Sequence, residues 1–99
     1  MNEKLKNEHT DSFYNAVLNL RSLEECYNFF EDICTVAEIQ AMAQRFHVAR
    51  LLEEGRTYQE ISAATGASTA TISRINKCLE YGTDGYKTAL GRLKENGGN

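Results

Sequence analysis

Residues 57–80 read TYQEISAATGASTATISRINKCLE, a run dominated by hydroxyls, alanines and a single glycine. Thr57 and Glu60 stand three apart, as in a capping box that starts a helix, and Ile61, Ile72, Ile75 and Leu79 recur at helical spacing. The stretch therefore predicts two short helices, over about Tyr58–Ala64 and Thr69–Tyr81, joined by a turn at Gly66. Two helices crossing steeply through so short a turn need a residue tolerant of positive φ at the turn and a small residue four positions earlier. Gly66 and Ser62 fill those places, Ser62 replacing the commoner alanine. Ile61, Ala67, Ile72 and Ile75 then face inward, while Gln59, Ser68, Thr69, Ala70, Thr71 and Ser73 lie outward or at the start of the second helix.

Working outward, two further Ser/Thr-x-x-Glu boxes, Ser22–Glu25 and Thr35–Glu38, mark helix starts. They predict helices over Asp11–Leu20, Leu23–Asp32 and Val36–Glu54, the last stopped by Gly55 as a left-handed cap. A sixth helix is expected from Gly85 to about Leu93, with residues 94–99 as a disordered tail. Proline is absent and no alternating strand pattern appears. The fold class is all-α with six helices in one domain, divided into helices over 11–54, a helix-turn-helix over 57–81 and a C-terminal helix over 85–93.

With 99 residues and 41% hydrophobic content, the chain can bury only about two-thirds of its unfolded surface. The first two helices nevertheless carry Phe13, Tyr14, Val17, Leu18, Leu23, Tyr27, Phe29, Phe30 and Ile33. The third adds Val36, Ile39, Met42, Ala43, Phe46, Ala49 and Leu52. So broad an apolar surface in a small domain fits either an ordinary core or burial against a second copy. No apolar run reaches membrane-spanning length and the N-terminus lacks a signal-like apolar segment, so a cytoplasmic protein without membrane contact is expected. Cys26, Cys34 and Cys78 are odd in number and form no CxxC pair, which predicts reduced, buried or half-buried thiols and neither a disulfide framework nor a metal site.

The net charge of −3 conceals a polarity. Residues 1–44 carry −5, whereas residues 45–94 carry +3 through Arg45, Arg50, Arg56, Arg74, Lys77, Lys87, Arg92 and Lys94 against five acids; Glu95 completes the total. A basic half that contains a helix-turn-helix suits DNA phosphates. Base edges in the major groove are read from the N-terminal end of the second helix, where Ala70 and Thr71 can offer methyls to thymine. Gln59, Ser68, Thr69 and Ser73 can bind phosphate or bridging water. The candidate DNA-contact set is Thr57, Gln59, Ser68, Thr69, Ala70, Thr71, Ser73, Arg74 and Lys77. A second reading is an adaptor that uses the same hairpin to dock on a protein, favoured by the negative net charge and the absence of arginine among the base-facing positions. No glycine-rich phosphate loop, catalytic carboxylate pair or triad points to an enzyme.

The segment Gly66–Arg74, GASTATISR, resembles the turn and recognition helix of the Trp repressor-like family, and Thr35–Arg45 followed by Leu51–Gly55 resembles its central helix. E24-E-C-Y-N-F-F-E-D-I-C34, A41-M-A-Q-R-F46, T57-Y-Q-E-I61 and C78-L-E-Y-G82 are similar to the YerC/YecD type of that family. The resemblance covers roughly residues 12–93. It implies an intertwined homodimer, joined through the N-terminal helices, that binds a double-stranded DNA operator as a transcriptional regulator, usually a repressor. It also implies an effector pocket at Arg45, Arg74, Ile75 and Cys78. Ile75 stands where the tryptophan repressor has a glycine that leaves room for its ligand, and Cys78 where it has a serine. The departure argues against tryptophan as corepressor, and no cofactor is expected.

Overall fold

The structure, a computed structural model, describes residues 1–97 as helices joined by short connections, with no strand among the described residues. A 3-10 turn at Glu3–Leu5 precedes α1 (Glu8–Leu18), α2 (Leu23–Ile33), α3 (Val36–Glu53), α4 (Tyr58–Thr65), α5 (Thr69–Tyr81) and α6 (Gly85–Glu95). The chain divides into two compact units, Met1–Ile39 and Gln40 to the C-terminus. No described helix is long and apolar enough to cross a membrane.

The boxes read from sequence start their helices. Thr35 and Glu38 exchange bonds of 2.8 and 3.1 Å, and Thr57 and Glu60 exchange bonds of 2.9 and 3.2 Å. The Ser22 hydroxyl likewise accepts from the Glu25 N–H at 3.1 Å, but the Glu25 carboxylate reaches one residue further back, to the N–H of Arg21 at 2.9 Å. Both Glu38 and Glu60 have carboxyl pKa values lowered from the ordinary range, first by the backbone N–H of the capping threonine and then by its hydroxyl.

Three boundaries differ from the sequence reading by two residues or more. α1 begins at Glu8, three residues early, because Asn7 caps it by accepting from the Thr10 N–H at 2.9 Å. It ends at Leu18 where Asn19 turns its side chain back onto the Asn15 carbonyl. At the other terminus α6 runs through Glu95, so Lys94 and Glu95 are helical where a disordered tail was expected; Gly98 and Asn99 lie outside the described residues.

In the first unit, α1 and α2 share an aromatic cluster. The Phe13 and Phe29 rings stack at 6.0 Å, Phe13 lies 5.5 Å from Tyr14, and Phe29 meets Phe30 edge to face at 5.4 Å. No residue of this unit is buried, and Tyr14, Leu18, Leu23, Tyr27, Ile33 and Val36 are all exposed.

The second unit has a core of its own. Val48 and Ala49 of α3 pack with Ile61, Ala67, Ile72, Ile75, Leu79 and Leu90, with Phe46, Leu51, Leu52 and Tyr86 partly buried around them. Two glycines shape its connections. Gly55, at φ +83°, closes α3 as Arg56 N–H bonds back to the Leu51 carbonyl, and Gly66, at φ +76°, closes α4. Each occupies the left-handed region that a Cβ disfavours.

Candidate nucleic-acid interface

α4, the Gly66 turn and α5 form the expected helix-turn-helix. All four positions read as inward, Ile61, Ala67, Ile72 and Ile75, are buried at 3% exposure or less. That burial fixes which face of α5 remains open. Ser68, Thr69, Ala70, Arg74 and Lys77 are exposed, together with Thr57 and Gln59 near the start of α4. Thr71 and Ser73, read as outward or at the helix start, are half-buried.

Ser68 is also more than a surface hydroxyl. It is the N-cap of α5, accepting from the Thr71 N–H at 3.1 Å and donating to the Thr71 hydroxyl at 3.0 Å. The cap leaves the N–H groups of Thr69 and Ala70, the first two of the helix, without a bond among the described residues. Together with the positive end of the helix dipole they can receive an anion such as a phosphate oxygen. Thr57 spends its hydroxyl in the same way, on the Glu60 N–H.

The turn between the helices is closed by side chains. The Thr65 hydroxyl donates to the Ile61 carbonyl at 2.8 Å and accepts from the Ala67 N–H at 3.1 Å, while the Ser62 hydroxyl donates to the Ala67 carbonyl at 3.0 Å. From α3, the half-buried Gln44 amide donates to the Thr65 carbonyl at 3.1 Å. Sequence reading missed Gln44; its one signal is its place one turn before buried Val48 on the same helix face.

The expected effector residues differ in burial, with Arg45 and Arg74 exposed. Ile75 is absorbed into the core. Cys78 is exposed, whereas a buried or half-buried thiol was expected, because it flanks the apolar stripe of Ile75 and Leu79 at the edge of an open cavity; Cys26 and Cys34 are half-buried. Cys78 also lines an open cavity of about 450 Å³ with Phe46, Thr83, Tyr86, Ala89 and the backbone of Gly82 and Gly85. Tyr86, missed by sequence reading, draws the set together. Its phenol pKa is raised, mainly by burial and then by Cys78, while Arg45 and Arg74 are near enough to pull it the other way. No cluster of His, Cys, Asp or Glu suited to a metal occurs among the described residues.

Comparison with known proteins places this arrangement. Residues 8–94 match the family model described as Trp repressor protein. Over 93 residues the chain is 56% identical to the uncharacterized protein YerC of Bacillus subtilis (strain 168), spanning 94% of this chain and 89% of that one. The crystal structure of a TrpR-like protein from Eubacterium eligens ATCC 27750 superposes with a TM-score of 0.91 at 52% identity, covering 94% of this chain and 96% of the other. A crystal structure from Staphylococcus aureus gives the same TM-score at 46% identity over 95% of both chains. With its helix-turn-helix intact and nearly its whole length matched, the chain belongs to the Trp repressor protein family.

Proposed function

We propose that the protein is a sequence-specific, double-stranded DNA-binding transcription regulator, a repressor by its resemblance, that acts in the cytoplasm as a homodimer with α5 in the major groove. The observation that carries this reading is the first turn of α5. Exposed Ser68, Thr69 and Ala70 and two unbonded N–H groups lie on a helix whose opposite face is anchored in the core. Family membership supports it, as does the +3 charge of residues 45–94. Small side chains at the helix start admit close approach to base edges, with thymine methyls met by Ala70 and Thr71 and other contacts bridged by water. Arg74 and Lys77, exposed further along α5, then serve phosphates.

The dimer rests on the first unit, whose apolar side chains are left exposed in a single chain. A second copy covers them, and two α5 helices then address successive major grooves about 34 Å apart. In this reading regulation proceeds without tryptophan, because Ile75 fills the core position at which the resemblance would require space.

Selection of bound duplexes from random DNA, at low and moderate salt, tests the proposal. A near-palindromic motif should emerge, with half-sites about one helical turn apart and an affinity that falls steeply as salt rises. A pool with no enriched motif, and affinity equal to that for mixed competitor, would refute it. Stoichiometric binding of a protein partner by DNA-free protein, abolished by substitutions over residues 69–73, would favour the adaptor role instead.

A further inference from the structure

Resting on the DNA-binding reading, we infer that Gln44 is a positioning residue. Its amide fixes the seat of the helix-turn-helix on α3 and so sets the angle at which α5 meets the groove. The hydrogen bonds of the turn fall into two kinds. Those made by Ser62 and Thr65, with the Gly66 N–H bonded to the Ser62 carbonyl, stay within residues 61–67 and fix the turn's own shape. The bond from Gln44 Nε2 to the Thr65 carbonyl arrives from 21 residues earlier in the chain and fixes where that shape sits.

Alongside this bond, α3 packs on the helix-turn-helix through Val48 and Ala49, which share a core with Ile61, Ala67, Ile72 and Ile75. Such packing is strong but non-directional, and small rotations preserve most of it. A hydrogen bond weakens steeply with angle, so the Gln44 bond resists rotation that the core tolerates. The Thr65 carbonyl is one of the orphan acceptors at the end of α4, and it lies three residues before Ser68, the cap of the recognition helix. An angular error there is carried directly into the first turn of α5, the part proposed to read bases. Gln44 itself touches no DNA in this account.

The test compares Gln44→Leu, which keeps bulk but cannot donate, and Gln44→Glu, whose carboxylate at neutral pH sets an acceptor against an acceptor. Both are measured against wild-type protein on the duplex that wild type selects and on mixed-sequence duplex. Base reading needs correct angles, whereas nonspecific attraction follows phosphate charge. The ratio of specific to nonspecific affinity should therefore fall about tenfold in Gln44→Leu and further in Gln44→Glu, with nonspecific affinity of the leucine variant unchanged. Amide hydrogen exchange in DNA-free protein supplies a readout independent of DNA, with faster exchange confined to residues 65–68 in both variants. Unchanged discrimination in Gln44→Leu, or equal loss of specific and nonspecific affinity alongside a general loss of helix, would overturn the positioning role. Failure of wild type to select any motif would instead strike the DNA-binding reading, and with unaltered exchange at residues 65–68 the geometric role would fall as well.

Discussion

The two units of this chain solve the problem of small size differently. Residues from Gln40 onward bury eight apolar side chains, three of them isoleucines of the helix-turn-helix, and so give that motif a core within its own unit. Met1–Ile39 carries most of the aromatic residues yet buries nothing completely, relying on a ring cluster while Tyr14, Leu18, Leu23 and Tyr27 face outward. Charge follows the same division, with the acids concentrated in the N-terminal part. The lesson is that the helix-turn-helix surface is set by its own core, whereas the N-terminal helices leave apolar side chains uncovered, the surface that the proposed dimer would bury.

The contrast breaks most sharply under Leu18→Asp combined with Tyr27→Asp. On a free surface such changes alter stability by no more than about 0.5 kcal/mol each. In a dimer contact each carboxylate is buried without a partner at a cost of several kcal/mol, so the dimer dissociation constant should rise at least about a thousandfold in sedimentation equilibrium. An unchanged dimer would remove the proposed role of this face. Ile72→Ala strikes the other unit and should destabilise it by about 2–5 kcal/mol in denaturant unfolding, since Ile72 is fully buried. Gly66→Ala, in a position with open space around it but φ +76°, should cost about 1–2 kcal/mol through backbone strain alone. The smallest effect is expected from Glu60→Gln. The folded-state pKa of Glu60 is depressed, so its contribution is present above the ordinary carboxyl range and is lost as pH falls through the lowered value. Thermal melts taken from neutral pH to about pH 3 should show a shallower acid decline in the glutamine variant.

Much of this was legible before the structure. The Thr35–Glu38 and Thr57–Glu60 boxes are local chemistry, written within four residues, and the inward isoleucines follow from helical periodicity. Less legible was anything set by a neighbour in space. The Asn7 cap is an exception, local like the boxes yet overlooked because the apolar pattern begins only at Phe13. The half-burial of Thr71 and Ser73 is not written in the local sequence, and the meeting of Cys78 with Tyr86 depends on the return of α6. Gln44 belongs to the same class, because a polar residue on a helix face announces its partner only once the turn it reaches has been placed. Ile75, in place of the glycine that the resemblance would require for ligand space, packs into the core.

The central claim, that the first turn of α5 reads DNA, is tested most directly by Thr71→Asp. Thr71 is the third residue of the helix, where a carboxylate suits the dipole and can replace the lost hydroxyl contact to Ser68, so folding should be preserved or improved. Facing a phosphate-lined groove, the same charge should repel. We expect an unchanged or raised melting temperature, an unchanged dimer mass and at least about a tenfold loss of affinity for the selected duplex. Full affinity in a folded, dimeric Thr71→Asp protein would contradict the account.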